Sequence, residues 1–378
     1  MTFSLLALLV LVGLLGPLLA ARAAWRIPVV VGELAGGIVI GVSGFQLVDP
    51  TADDLRFLAN IGFGLTMVVV GSQIPVRDPA VRAALGRGAA GAALVGVAAA
   101  VLGTLIAVGF GTGHAAVYGV VLASSSAALV LPMLRSVGLR TVSVTHLVAQ
   151  IAIADVVCII ALPLLLAPAR APLAALGATA IVGVVVVVVF VLDKVVGTRV
   201  RRRLHEYSER RRFALELRFS LLTLFGLAAI AQFAGLSIMI AGFALGLALA
   251  AIGEPRRLAR QLFGITEGFF GPLFFVWLGA SLNLQAFVAH PEMILLGVAL
   301  GLSAAVAHLL SRVVRLPVLQ ALASAGQLGV PVAAVTLGLQ TGALAPGEDA
   351  AILLGALITV AVAAGATGAL SRRMRPTG

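Results

Sequence analysis

Ile151-Ala152-Ile153-Ala154-Asp155-Val156-Val157-Cys158-Ile159-Ile160 sets one acid inside an apolar run that extends from about residue 142 to 167. A run of about 20 apolar residues crosses a bilayer as a helix, because hydrocarbon offers backbone N–H and C=O groups no other partner. The run is continuous rather than alternating, so it is not the strand of a barrel. Asp155 therefore sits near the middle of a span. An ionisable group at such depth costs at least about 2.5–3.5 kcal/mol, which makes it a site candidate by default. Its chain neighbours offer it nothing polar. A carboxylate so placed takes up a proton or binds a cation.

Outward from this helix the pattern repeats. Thirteen stretches read as spans: about 3–21, 28–48, 55–76, 88–110, 114–134, 142–167, 172–192, 214–233, 236–252, 262–286, 292–311, 316–342 and 350–370. Composition agrees. Of 378 residues, 61% are hydrophobic and 11% charged, against roughly 25% charged in a soluble domain. Cys158 is the only cysteine, so no internal disulfide forms. The net charge of +11 does not signal nucleic acid, because the arginines punctuate the apolar runs instead of sharing one face or tail. This is an all-α polytopic membrane protein.

The loops set its orientation. Taking alternate connections from the first, with the tail, 23 of the 26 basic residues fall on one side. They include Arg22 and Arg26, Arg77 to Arg87, Arg135 and Arg140, the run from Lys194 to Arg212, Arg256 to Arg260, and Arg312 and Arg315. The other side carries Asp49, Asp53, Asp54, Glu292, Glu348 and Asp349. The positive-inside rule then puts the N-terminus outside and the C-terminus in the cytoplasm of a cell-membrane protein. Residues 1–21 are read as a retained helix, since a signal peptide carries its charge before the apolar core and here the arginines follow it.

The one long loop, about 193–213, divides the chain. A first repeat covers about 1–167, a linking helix 172–192, and a second repeat about 214–370, all within a single membrane domain, 1–378. Corresponding helices are then seven apart and cross in opposite directions, the arithmetic of an inverted repeat. In such folds the site is marked by interrupted helices at matched positions. Helix 5 carries Ser124-Ser125-Ser126 and Pro132; helix 12, seven later, carries Gly326-Gln327-Leu328-Gly329-Val330-Pro331. Small residues and proline also serve plain close packing in membranes, but the matching of positions favours two crossing, discontinuous helices.

Three further ionisable groups lie in spans. Glu33, in Gly32-Glu33-Leu34, is near the cytoplasmic end, where capping or packing competes with a pathway role. Glu267, in Thr266-Glu267-Gly268, either lines an entrance or reaches the interface. His308 stands one turn before Arg312, where a lone histidine commonly serves as hydrogen-bonding glue. The five histidines show no metal-ligand spacing.

Six stretches in order resemble the monovalent cation:proton antiporter-2 family. They are Pro28-x3-Gly32-Glu33-x2-Gly36-Gly37; Ser124-Ser125-Ser126 with the following residues to Pro132; Gln150 to Asp155; Ile240 to Leu247; Gly271-Pro272-Leu273-Phe274-Phe275-Val276-Trp277-Leu278-Gly279; and Gly326-Gln327-Leu328-Gly329. The resemblance implies a sodium/proton-antiporter-like fold of about 13 helices, a dimerising panel with a mobile core, a likeness to homodimers, and competition of cation and proton for Asp155. This chain departs from that family at three places. Ala154 stands where Asp, Asn or Gln usually precedes the aspartate. Val330 stands where the second crossing helix often has Glu. His308 matches a lysine that pairs with the aspartate. The chain also shows no cytoplasmic nucleotide-binding domain, which argues against the potassium-efflux branch.

The expectation is a secondary active antiporter exchanging Na⁺ or K⁺ for H⁺ across the lipid bilayer. It needs no cofactor and no nucleic acid. Asp155 is the exchanged carboxylate and holds the monovalent cation. One carboxylate trades one cation for one proton, so exchange is electroneutral. Ser124, Ser125 and Ser126 supply hydroxyl or backbone oxygens, which suit hard cations. Gln150 and Gln327 are second-rank ligands, His308 is the charge partner, and Glu33 and Glu267 are possible pathway residues. The alternative is a channel-like or differently coupled transporter on the same fold. An intramembrane serine enzyme is disfavoured, since no Gly-x-Ser-x-Gly setting surrounds the serines.

Overall fold

The computed structural model describes residues 2–21, 28–137, 141–166, 171–190, 214–234, 236–253 and 256–374. Among them every regular element is helical. In chain order these are α1 (Phe3–Gly13), α2 (Leu15–Ala20), α3 (Val29–Ile40), α4 (Asp53–Ser72), α5 (Pro79–Ala83), α6 (Leu85–Phe110), α7 (Ala115–Ala123), α8 (Ala127–Val137), α9 (Val142–Leu166) and α10 (Ala171–Phe190). The chain continues through α11 (Leu215–Phe233), α12 (Ile238–Ile252), α13 (Arg256–Ile265), a π-helical turn (Thr266–Phe270), α14 (Gly271–Ser281), α15 (Gln285–Ala289) and α16 (Glu292–Leu309). A 3₁₀ turn (Leu310–Val314), α17 (Val318–Ser324), α18 (Gly329–Thr341) and α19 (Glu348–Met374) complete it.

Each expected span falls on a helix or on a broken pair of helices. Among the described residues, nine helical stretches are long and apolar enough to cross a membrane and three shorter apolar helices accompany them. The protein is a multi-pass membrane protein. The loop 193–213 and the basic residues Arg22, Arg26, Arg140, Arg170 and Arg375 lie outside the described residues.

Boundaries differ from expectation where backbone chemistry overrides hydropathy. The span expected over 28–48 stops at Ile40, because Gly41 turns the chain and residues 45–47 fold back on the helix end through bonds to Val39, Gly41 and Ile40 carbonyls. The span expected over 262–286 begins earlier, at the polar start of α13, and ends at Ser281, where Leu282 is extended. The first helix divides at Leu14; Pro17 has no N–H to return to the Gly13 carbonyl.

The helices gather into two compact units, each built from two separate stretches of the chain. The first holds Met1–Val76 and Ala169–Leu282. Its helices approach closely at glycine. A Cβ on Gly242 of α12 would meet the Gly64 carbonyl oxygen of α4 at 2.2 Å, and one on Gly279 of α14 would meet the Leu34 carbonyl of α3 at 2.2 Å. Only a bare Cα permits such backbone contact. Phe63 and Phe274 stack at 4.9 Å between α4 and α14. The second unit holds Arg77–Pro168 and Asn283–Gly378. It contains α9 and both broken pairs, α7/α8 and α17/α18.

Candidate ion-binding site

The first break is local in origin. Ser124 is extended (φ −70°, ψ 152°) and its hydroxyl donates to the Val121 carbonyl at 2.8 Å, closing the last turn of α7 from the side chain. Serine competes with the helix ladder in this way, and three in succession stop the helix. The Ser126 carbonyl then accepts the first bond of α8, from Val130 N–H. The second break follows Ser324 and the helix resumes at Gly329, with Leu328 outside the helical region (φ −146°, ψ −56°).

The two breaks satisfy one another. Ser126 N–H donates to the Gly326 carbonyl at 2.9 Å. The Gln327 amide Nε2 donates to the Leu122 carbonyl at 3.2 Å. The Ser125 hydroxyl donates to the Ser324 carbonyl at 2.5 Å. Carbonyls orphaned at the ends of α7 and α17 thus find donors on the opposite segment, as buried backbone groups must. Thr359 of α19 anchors the crossing: its hydroxyl accepts Gln327 N–H at 3.2 Å and donates to the Ala356 carbonyl at 2.7 Å.

Asp155 lies against the first break. Its Oδ2 accepts the backbone N–H of Ala127, the first residue of α8, at 3.2 Å. A carboxylate at a helix N-terminus meets both an orphan donor and the positive end of the helix dipole. Asp155 is 1% exposed. Ser124, Ser125, Ser126, Gln150, Gln327 and His308 are buried as well, all within the second unit.

His308 is placed differently from the lysine-like pairing. Among the described residues it makes no ion pair with Asp155. Its Nδ1 lies 2.9 Å from the Ala304 carbonyl and its Nε2 3.2 Å from the Ser125 hydroxyl. Gln150 turns to the 3₁₀ turn after α16, donating to the Ser311 hydroxyl at 2.9 Å, while its Oε1 is buried without a donor among the described residues.

Glu33 and Glu267 belong to the first unit, Glu33 buried and Glu267 exposed on the π-helical turn. The residues that sequence did not single out are Thr359, Ser311 and the Ala127 N–H. Their only signal is polarity in an apolar helix, or none at all for a backbone group. The sequence places Glu348 in an outer connection, between the spans expected over 316–342 and 350–370. It is fully buried, accepting from Tyr118 Oη at 2.6 Å, Ala345 N–H at 2.7 Å and His114 Nδ1 at 2.8 Å.

This helical architecture resembles that of solved structures. The sodium proton antiporter MjNhaP1 of Methanocaldococcus jannaschii at pH 8 superposes with a TM-score of 0.66, 18% identity and coverage of 98% of both chains. An electron-microscopy structure of the same antiporter superposes with a TM-score of 0.69, 16% identity and coverage of 100% of this chain and 99% of that one. At these identities the likeness is one of fold. The family model for the transmembrane sodium/hydrogen exchanger matches residues 6–373. The chain belongs to the sodium/hydrogen exchanger family. The glutathione-regulated potassium-efflux system protein KefC of Cronobacter sakazakii is 30% identical over 277 residues, 70% of this chain. This exchanger-family chain spans 43% of that relative's length. This likeness is to a potassium-efflux protein, the branch that the sequence reading disfavours.

Proposed function

We propose that this chain is a secondary antiporter that exchanges Na⁺ or K⁺ for H⁺, one for one, with Asp155 as the carboxylate both ions occupy. The observation that carries this reading is the setting of Asp155: 1% exposed, held by one backbone N–H at 3.2 Å, beside the break in α7/α8. A bare anion there is costly. A proton or a monovalent cation each neutralises it, so the two compete, and each neutral complex crosses where the empty carboxylate does not. That competition couples the fluxes without moving net charge.

Oxygens near the crossing suit a hard cation. Ser124 and Ser125 commit their hydrogens to carbonyls but keep oxygen lone pairs. Gln150 Oε1 is an acceptor with no donor among the described residues, about one turn and a half before Asp155. Gln327 is placed as a clamp between the breaks, with its amide oxygen as a second-rank ligand. The arginine distribution supports an outside N-terminus and a cytoplasmic C-terminus, and the family resemblance supports a homodimer.

The test is proton flux in proteoliposomes under separate Na⁺, K⁺ and Li⁺ gradients, for the natural chain and Asp155→Asn. Cation-driven proton movement lost in the variant supports the reading. Undiminished exchange in Asp155→Asn removes it. Cation flux without counter-transport of protons makes the chain channel-like instead.

A further inference from the structure

A buried cluster that ion exchange at Asp155 does not use sits where α7 and α19 begin, within the second unit. It lies at connections that the arginines avoid. Glu348, the first residue of α19, is fully buried. Its Oε1 accepts the Tyr118 hydroxyl at 2.6 Å, and its Oε2 accepts Ala345 N–H at 2.7 Å. His114, at the N-cap of α7, sets Nδ1 at 2.8 Å from Oε1 and 2.9 Å from Oε2. Three donors converging on one carboxyl make the setting of an anion. An ionised carboxylate only accepts, so Nδ1 holds the hydrogen and Nε2 is the nitrogen that gains or loses a proton. Nε2 makes no hydrogen bond among the described residues. The His114 side chain is 25% exposed, so a proton reaches the ring from solvent.

The other charged groups on the helices packed against α7 and α19 are engaged elsewhere or remote along their helices. Arg87 stands at the opposite end of α6 and lies 3.5 Å from His146 of α9. Asp155 of α9 holds Ala127 N–H, and His308 of α16 holds Ser125. Glu292, at the start of α16, pairs with His290 at 3.0 Å. Arg135 is near the last turn of α8, and Arg372 and Arg373 are at the far end of α19. Neither α17 nor α18 carries a charged side chain. Asp349 is the exception. It follows Glu348, is buried, and turns to the N–H groups of Asn283 and Ala350. Two buried acids therefore share the start of α19, and among the described residues His114 is the one basic group paired with Glu348. The N-terminus of α7 opposes a cation at its cap, but α7 has only nine residues and the carboxylate is in direct contact.

We infer that His114 and Glu348 form a proton-operated tie between the starts of α7 and α19, tight when Nε2 of His114 carries a proton and looser when it does not. Both helices hold the crossing at a later point: α7 ends at Ser124, and α19 carries Thr359, which anchors Gln327. The tie thus links proton occupancy at the helix starts to the spacing of the segments around Asp155. Its sign follows from linkage. Folding gives His114 an anionic partner that the unfolded chain lacks. The stabilisation is present while His114 is protonated and is lost as pH rises through the range of histidine, about pH 5 to 8.

The experiment measures the melting temperature of the purified full chain in detergent across that range. It needs no transport, so its failure leaves the antiport reading standing. The natural chain should lose a few degrees more than His114→Gln as pH rises. His114→Lys, charged throughout, should also lose this extra fall, but at a melting temperature above that of His114→Gln at the alkaline end. In a Glu348→Gln background, His114→Gln should leave the slope with pH unchanged. If Glu348→Gln does not fold, Tyr118→Phe takes its place: it removes a donor, spares the pair, and must keep the extra fall. Parallel profiles for the natural chain and His114→Gln overturn the proposal. So does a His114-dependent fall that persists without the Glu348 carboxylate, a His114→Lys profile that coincides with that of His114→Gln, or loss of the fall in Tyr118→Phe.

Discussion

At the scale of single residues, Asp155 and His308 make separate contacts. Asp155→Asn keeps the size of the side chain and removes only titration. Exchange should fall to background, while the melting temperature is unchanged or higher, because the cost of burying a charge disappears. Flux assays and a thermal melt check both halves. Histidine at 308 matches a pairing lysine in the resemblance, yet the folded chain joins it to Ser125 and the Ala304 carbonyl. A double-mutant cycle on stability distinguishes the two arrangements. Ser125→Ala with His308→Gln should show a coupling of about 0.5–3 kcal/mol, as residues in one hydrogen-bond network do. Asp155→Asn with His308→Gln should be additive within about 0.5 kcal/mol. The reverse ranking would restore the direct pair. Asp155 was legible in the sequence because a mid-span acid is conspicuous against alanine, isoleucine and valine. Its contact with Ala127 N–H was not, since a backbone donor leaves no mark in the residue alphabet.

At the scale of elements, the breaks and the close helix crossings carry the argument. Ser124-Ser125-Ser126 and Gly326-Gln327-Leu328-Gly329 announce interruptions by local chemistry, so both were visible before folding. That each supplies donors to the other's orphan carbonyls depends on bringing residues about 200 positions apart into contact. Thr359→Val removes the acceptor that holds Gln327 N–H and leaves a buried donor unpaired. It should destabilise by about 1–3 kcal/mol, read by denaturant or thermal unfolding. Packing makes a second test. Gly242→Ala would drive a Cβ into the Gly64 carbonyl, whereas Gly226→Ala on α11 meets nothing within 4 Å. The first should cost about 1–3 kcal/mol, as overpacking does. The second should be neutral or slightly stabilising, since alanine favours a helix over glycine. Equal effects at the two positions would mean that α4 and α12 do not touch as described.

At the scale of the whole molecule, one exchanged carboxylate predicts electroneutral transport. An imposed potential should leave the initial rate of exchange unchanged, although about 2.3 kcal/mol per charge per 100 mV is available to any cycle that moves net charge. Proteoliposomes clamped with a potassium-independent diffusion potential measure this; a rate that rises with voltage would require a second titrating group. The sequence by itself determined the class of the molecule: a polytopic helical membrane protein, its spans, and an acid buried in one of them. It could do so because bilayer thickness and unsatisfied backbone groups act on contiguous residues, so the constraint is written along the chain. Family membership was legible for a related reason, as six short motifs in order survive in this chain. Tertiary structure alone decided how the halves combine. Each compact unit takes two separate stretches of the chain, and the second unites Ser125 with His308 and Ser324, Gln327 with Leu122, and Gln150 with Ser311. It also drew Glu348, a loop-like acid by charge, into a buried cluster with His114 and Tyr118. Such pairings follow from hydrogen-bond geometry between distant segments, and local composition does not specify which donor reaches which acceptor.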